Sequence, residues 1–182
     1  AGRGRQGRGW ESATDEGLYA SIVLLPGPPA YRPAALTLAS ALAVVEALTD
    51  LGLAPVGDNA PRLKWPNDVL VGGAKLCGIL TESRGLDPQQ PHFVLGIGLN
   101  VRQRQFPGEL RAERPVTSLG LLGLNLTVRE VTEAVLVRLG RRLHQVRGHH
   151  RELAEDYLLA SQLSDLVPKS LHRFRRDPQL RL

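Results

Sequence analysis

Apolar positions change period several times along this chain, and each change marks an element. Leu18-Tyr19-Ala20-Ser21-Ile22-Val23-Leu24-Leu25 is a short apolar run stopped by Pro26-Gly27-Pro28-Pro29, which predicts a strand. From Pro33 the spacing turns helical: Leu36, Ala39, Ala43, Val44, Ala47, Leu48 and Leu51 share a stripe, with Gly52 beyond as a stop, so a core-packing helix is predicted. Residues 54–61 are rich in Pro, Gly and Asn and connect it to residues 64–80, where two apolar runs flank Gly72-Gly73 as in a β-hairpin. The strand over 18–25 is expected to pair with this hairpin. After a turn-rich connection from Gly85 to Pro91, residues 92–101 predict another strand, and residues 102–126, broken by Pro107 and Pro115, predict irregular structure. Thr127 followed by Glu130 has capping-box spacing, and Val128, Val131, Val135, Leu139 and Leu143 continue as an apolar stripe to about Val146. A second helical piece over roughly 149–160 opens at His149-His150 after Gly148. No segment repeats. The order strand, helix, hairpin, strand, two helices predicts an α+β fold in which helices cover one face of a mixed, mainly antiparallel sheet.

Polar residues that interrupt this pattern are the candidates for chemistry. Lys64, Trp65, Asn67, Asp68 and Lys75 crowd a stretch that otherwise reads as buried strand. An unsatisfied buried polar group costs typically ~1–3 kcal/mol, so such a cluster points to a polar ligand as its partner. Gly96 and Gly98, two apart and therefore on one face of their strand, indicate either a group lying flat against that face or a bulge with close strand packing. Asn100 shares the face and can hydrogen-bond whatever the glycines admit. At the start, Gly2-Arg3-Gly4-Arg5-Gln6-Gly7-Arg8-Gly9 precedes Trp10. Glycine lets backbone N–H groups approach an anion and guanidinium binds phosphate or carboxylate in a fork, so this is either an anion-binding loop closed by an aromatic platform or a disordered arginine-glycine arm.

Composition narrows the class without naming the ligand. The 182 residues, 42% hydrophobic and 23% charged, fit one globular domain that buries roughly 70% of its unfolded surface. No apolar run approaches the roughly 20 residues of a membrane span and no signal peptide opens the chain, so a cytoplasmic protein is expected. The lone Cys77 cannot form an internal disulfide, which fits a reducing compartment; inside an apolar strand it reads as a core filler rather than a nucleophile. The five histidines have no metal-ligand spacing. A net charge of +5 favours an anionic partner. Arg173, Arg175, Arg176 and Arg181 crowd residues 161–182, a basic tail without apolar periodicity for which nucleic-acid contact is a minor alternative to fraying.

Four motifs in order carry a resemblance. Gly2-Arg3-Gly4-Arg5-Gln6-Gly7-Arg8-Gly9-Trp10, Lys64-Trp65-Pro66-Asn67-Asp68, Lys75-Leu76-Cys77-Gly78-Ile79-Leu80 and Gly96-Ile97-Gly98-Leu99-Asn100 together resemble the catalytic domain of biotin protein ligases, the biotin–[acetyl-CoA-carboxylase] ligases. The resemblance runs residue by residue over roughly 1–102 and by element order over 127–160. It implies a fold like that of class II aminoacyl-tRNA synthetases and biotin ligases, with the catalytic domain over 1–160, its N-terminal part missing, and no SH3-like domain in 161–182. It implies a two-step reaction: biotin and ATP, with Mg²⁺, give biotinyl-5′-adenylate, and the biotinyl group then passes to a lysine of the biotin carrier domain of acetyl-CoA carboxylase. Lys75 and Arg5 would be catalytic. Arg3, Gly4, Arg5, Lys75, Gly78, Gly96 and Gly98 would bind biotin; Trp10, Asn67, Asp68 and Asn100 would bind nucleotide, and Asp68 would hold Mg²⁺. A homodimer is compatible with it, DNA binding is not expected without a helix-turn-helix domain, and no membrane is involved. The alternatives are a truncated, non-catalytic fragment that binds biotin or nucleotide, and a nucleic-acid-binding protein acting through its basic arms.

Overall fold

In the computed structural model the described residues are 2–3, 9–10, 15–26, 31–54, 56–85, 91–108, 115–146 and 150–161. Two short strands, β1 (Gly2–Arg3) and β2 (Gly9–Trp10), pair antiparallel and place Gly2 opposite Trp10. The main sheet contains β3 (Gly17–Leu24), β4 (Arg62–Lys64), β5 (Asp68–Val71), β6 (Ala74–Arg84) and β7 (His92–Asn100) in the spatial order β3-β7-β6-β5-β4. All four of these pairings are antiparallel, and an isolated parallel bridge joins Lys75 to Val116. The strand over 18–25 does not pair with the hairpin as expected from the sequence. It pairs with β7, which stands between them, because the longer β6 and β7 match in length and alternation and take the centre of the sheet.

Helix α1 (Pro33–Asp50) starts with proline at its first turn, where the missing N–H has no intrahelical partner to lose, and ends before Gly52 at φ 105°. Its stripe of Leu36, Ala39, Ala43, Val44, Ala47 and Leu48 is fully buried, and so are Leu38, Ala41 and Leu42 outside the stripe. The reason is position: α1 lies against the sheet and is covered in turn by α2 (Val128–Val146) and α3 (His150–Ser161). This helix has the length and apolarity of a membrane span, contrary to the expectation that no run comes near one, but here those residues form the core. Cys77 and Ile79 of β6 and Leu95, Ile97 and Leu99 of β7 complete that core from the sheet. The alternate positions, Gly78, Gly96 and Gly98, therefore face away from the helices. The tail over 162–182 lies outside the described residues.

Candidate active site

The open face of the sheet is built around one transverse row. Register pairs Lys64 with Asp68, Asp68 with Gly78, Gly78 with Gly98, and Gly98 with Tyr19, so five residues from five strands share a face side by side. Strict alternation from Gly78 would put Lys75 on the other face, with Cys77 and Ile79. A β-bulge prevents this: Leu70 pairs with Lys75 but Val69 pairs with Cys77, and the extra residue, Leu76, turns the Lys75 side chain back to the open face. Its Nζ lies 2.5 Å from Asp68 Oδ1 and 5.1 Å from the centre of the Trp10 ring. The ammonium is held by a carboxylate on one side and an indole face on the other, in a pocket where Lys75 is only 8% exposed.

Trp10 lies directly on the two glycines. A methyl group built on Gly98 would sit 2.6 Å from Cε2 of the indole, and one on Gly78 would sit 2.7 Å from Cζ3 and 3.0 Å from Lys75 Nζ. Both contacts are shorter than carbon atoms tolerate, so this floor admits a flat group only because neither residue has a side chain. Gly96 is different. It belongs to the next row, paired with Leu80 and Ser21, and a methyl there would meet Leu80 at an ordinary 3.6 Å.

The other candidates take more structural positions. Asn67 Nδ2 donates to the Ile79 carbonyl at 2.8 Å while its own carbonyl accepts from Ile79 N–H, so it pins the turn between β4 and β5 onto β6. Asn100 is 6% exposed and Nδ2 donates to the Thr117 carbonyl at 2.9 Å. Arg3 is placed by its backbone opposite Gly9, whereas Gly4 and Arg5 lie outside the described residues. Among the described residues no group of three or more His, Cys, Asp or Glu side chains could hold a metal; Asp68 is the carboxylate of this row. Cys77 is fully buried, and burial pushes its thiol well above the ordinary range, so it stays a protonated core side chain. Tyr157 packs edge-on against Trp65 at 6.2 Å behind this region, and burial together with the Asp68 charge pushes its hydroxyl up to about 12.

The profile of the biotin/lipoate A/B protein ligase family matches residues 1–100. The chain belongs to this family. The match takes in Trp10, Asp68, Lys75, Gly78, Gly98 and Asn100 and ends where β7 ends. Among curated proteins, the biotin–[acetyl-CoA-carboxylase] ligase of Mycobacterium tuberculosis is 39% identical over 159 residues, covering 86% of this chain and 56% of that protein. The bifunctional ligase/repressor BirA of Bacillus subtilis is 39% identical over 113 residues, covering 61% of this chain and 33% of that protein. Of solved structures, the biotin protein ligase from Aquifex aeolicus in complex with biotin and ATP superposes with a TM-score of 0.69 at 33% identity, covering 85% of this chain and 62% of that one. The chain thus spans between a third and just over half of the length of these two curated relatives.

Two parts of this candidate site carry no signal in the sequence alone. Tyr19 read only as one residue of an apolar run, yet it lies opposite Gly98 and its hydroxyl accepts from Gln103 Nε2 at 3.0 Å. Pairing the strand over 18–25 with the glycine-bearing strand would have placed it there. The second part is the segment 115–118, which read as irregular. Lys75 N–H donates to the Pro115 carbonyl and Thr117 N–H to the Lys75 carbonyl, both at 2.9 Å. Local pattern carries no signal for such a contact across 40 residues of sequence.

Proposed function

We propose that this chain binds biotin and ATP on the open face of the sheet, forms biotinyl-5′-adenylate, and transfers the biotinyl group to a lysine of a biotin carrier domain such as that of acetyl-CoA carboxylase. The observation that carries the reading is the buried Lys75 ammonium, turned by a bulge onto a floor of two paired glycines. Joining a carboxylate to a phosphate brings two anions together, and a fixed cation in a dry pocket offsets that repulsion without reorganising. Lys75 fits that task as a charge stabiliser, while Asp68 fixes its direction. Gly78 and Gly98 fit the flat ureido ring, with Gly96 one row further along. In the described arrangement the Trp10 indole covers the two glycines, so a ligand lying on them requires the indole to shift, and from there it would stack on adenine.

Asn100, whose amide nitrogen is already engaged, would meet the nucleotide with its carbonyl oxygen, an acceptor suited to an exocyclic amine. Asn67 would act on the phosphates by fixing the backbone next to Asp68. Arg3, Gly4 and Arg5 would close over the adenylate, Arg5 adding a second cation at the reacting groups. The single carboxylate of Asp68 does not make a resident metal site, but magnesium carried in on the ATP phosphates needs only one or two protein carboxylates. The mixed anhydride, formed as the biotin carboxylate displaces pyrophosphate from the α-phosphate of ATP, is then open to attack at its acyl carbon by a carrier lysine amine, which gives the amide, loses a proton and releases AMP.

Biotin-dependent exchange of pyrophosphate into ATP tests the proposal. Exchange is expected with the chain as it stands, and Lys75→Ala should lower it by about a hundredfold or more while the protein stays folded. Exchange that is independent of biotin, or unchanged by Lys75→Ala, overturns it. Calorimetric binding of biotin without any exchange would instead establish a binding module that does not turn over.

A further inference from the structure

Strand β7 stops one residue short of covering Lys75. Leu99 is the last β7 residue to pair with β6, at Cys77, so beyond the bulge the N–H and C=O of Lys75 on that side have no β7 partner. Leaving both unpaired in a buried site would cost about 1–3 kcal/mol each. The chain instead returns after residues 101–114 and lays 115–117 alongside, parallel to Lys75, with Lys75 N–H to Pro115 O and Thr117 N–H to Lys75 O, each 2.9 Å. What holds this returning segment is Asn100. Its Nδ2 donates to Thr117 O at 2.9 Å and its main-chain carbonyl accepts from Leu119 N–H at 3.2 Å. The next residue repeats the pattern, Val101 O accepting from Gly120 N–H at 2.7 Å. Ser118 closes the loop, its hydroxyl donating to Gln103 O at 2.5 Å and accepting from Leu121 N–H at 3.1 Å.

From this geometry we infer that Asn100 and Thr117 are positioning residues for Lys75: the Asn100 amide fixes Thr117, and the 115–117 segment fixes the Lys75 backbone at the bulge. The inference deepens the biotin ligase reading and rests on it for its ligand. A reactive group must be held to within about 0.5 Å, and Lys75 reaches Asp68 and the glycine floor only while its bulged backbone stays in register. Asn100 therefore acts on the biotin half of the site even when no nucleotide is present, which a residue that merely reads adenine would not do.

Calorimetric titration with biotin alone separates the two roles. In Asn100→Ala the biotin Kd without nucleotide should rise by about fivefold or more, and the same change made on a Lys75→Gln background should add nothing, as for residues in one network. Amide hydrogen exchange at Lys75 should be faster in Asn100→Ala than in the unsubstituted chain, while Ile97, in the middle of β7, exchanges as before. An unchanged biotin affinity in the folded variant, or an equal loss on both Lys75 backgrounds, overturns the inference. Should Asn100→Ala not fold, Asn100→Ser is read in the same way. Should the unsubstituted chain bind no biotin, the ligase reading fails on its own, and the Lys75 amide then decides this inference: faster exchange in the variant supports it, equal protection overturns it.

Discussion

Gly96 and Gly98 stand two apart on one face of β7, yet only Gly98 is constrained by what lies above it. A methyl on Gly98 would come within 2.9 Å of three indole atoms of Trp10, whereas on Gly96 it would meet Leu80 at 3.6 Å. Gly98→Ala should therefore lift the indole off the sheet, shift the tryptophan emission of the free protein and weaken biotin binding by about tenfold or more, a loss of the size that misplacing a site by a fraction of an ångström produces. Gly96→Ala should leave the tryptophan emission unchanged. Equal emission from the two variants would show that Trp10 does not rest on Gly98 in solution. From the sequence the two glycines were equivalent, because a period of two assigns a face but not which cross-strand row a residue occupies. Lys75 makes the complementary point. Alternation puts it on the core face with Cys77 and Ile79, and only the register shift at Leu76 brings it to Asp68.

Elements that depend on local chemistry were legible from sequence, and those that depend on distant partners were not. The capping box is of the first kind: Thr127 N–H donates to Glu130 Oε2 at 2.8 Å and Glu130 N–H donates to Thr127 Oγ1 at 3.2 Å, so the two residues satisfy each other at the start of α2. The Thr127 hydroxyl, which donates to Glu130 Oε2 at 2.7 Å, and then the Thr127 N–H hold the Glu130 carboxyl below the usual carboxylate range. Thr127→Ala should destabilise the protein by ~1 kcal/mol, measured by urea unfolding at neutral pH. A change within error would mean that packing of Val131, Val135 and Leu139 against α1 alone sets where α2 begins. The hairpin turn is also of the first kind, since Gly72 and Gly73 take φ of 57° and 78°, the left-handed pair that a tight two-residue turn needs. β3 is of the second kind. Its run from Leu18 could pair with any exposed strand edge, and its place beside β7 follows from β6 and β7 taking the centre of the sheet. Segment 115–117 has no signal in its own sequence because its partner, Lys75 beside the bulge, lies about 40 positions earlier.

At the scale of the whole molecule, the open face can be devoted to polar chemistry because the helical side is closed independently. α1 is apolar nearly all round, and its few charged residues bind the outer helices: Arg142 of α2 joins Glu46 of α1 and Asp156 of α3, and Arg138 of α2 grips Asp50 of α1 with two hydrogen bonds of 2.6 Å. The Arg138 guanidinium holds the Asp50 carboxyl below its usual range, chiefly through the side-chain hydrogen bond. A carboxyl whose folded value is lowered binds fewer protons in the native state than in the unfolded one. Its contribution is thus complete at neutral pH and is lost as the pH falls through about 4 and below. The Arg138–Asp50 pair is partly exposed, with side chains 28% and 46% accessible, so solvent screening keeps its contribution small. Arg138→Met keeps an unbranched apolar stem and removes the charge. Urea unfolding of the two proteins should show the unsubstituted chain to be the more stable at pH 7, with the gap narrowing towards pH 3 as Asp50 is protonated in both. A gap of constant size across that range would mean that Arg138 acts through packing rather than charge. A gap that widened in acid would reverse the sign set by the lowered Asp50 carboxyl.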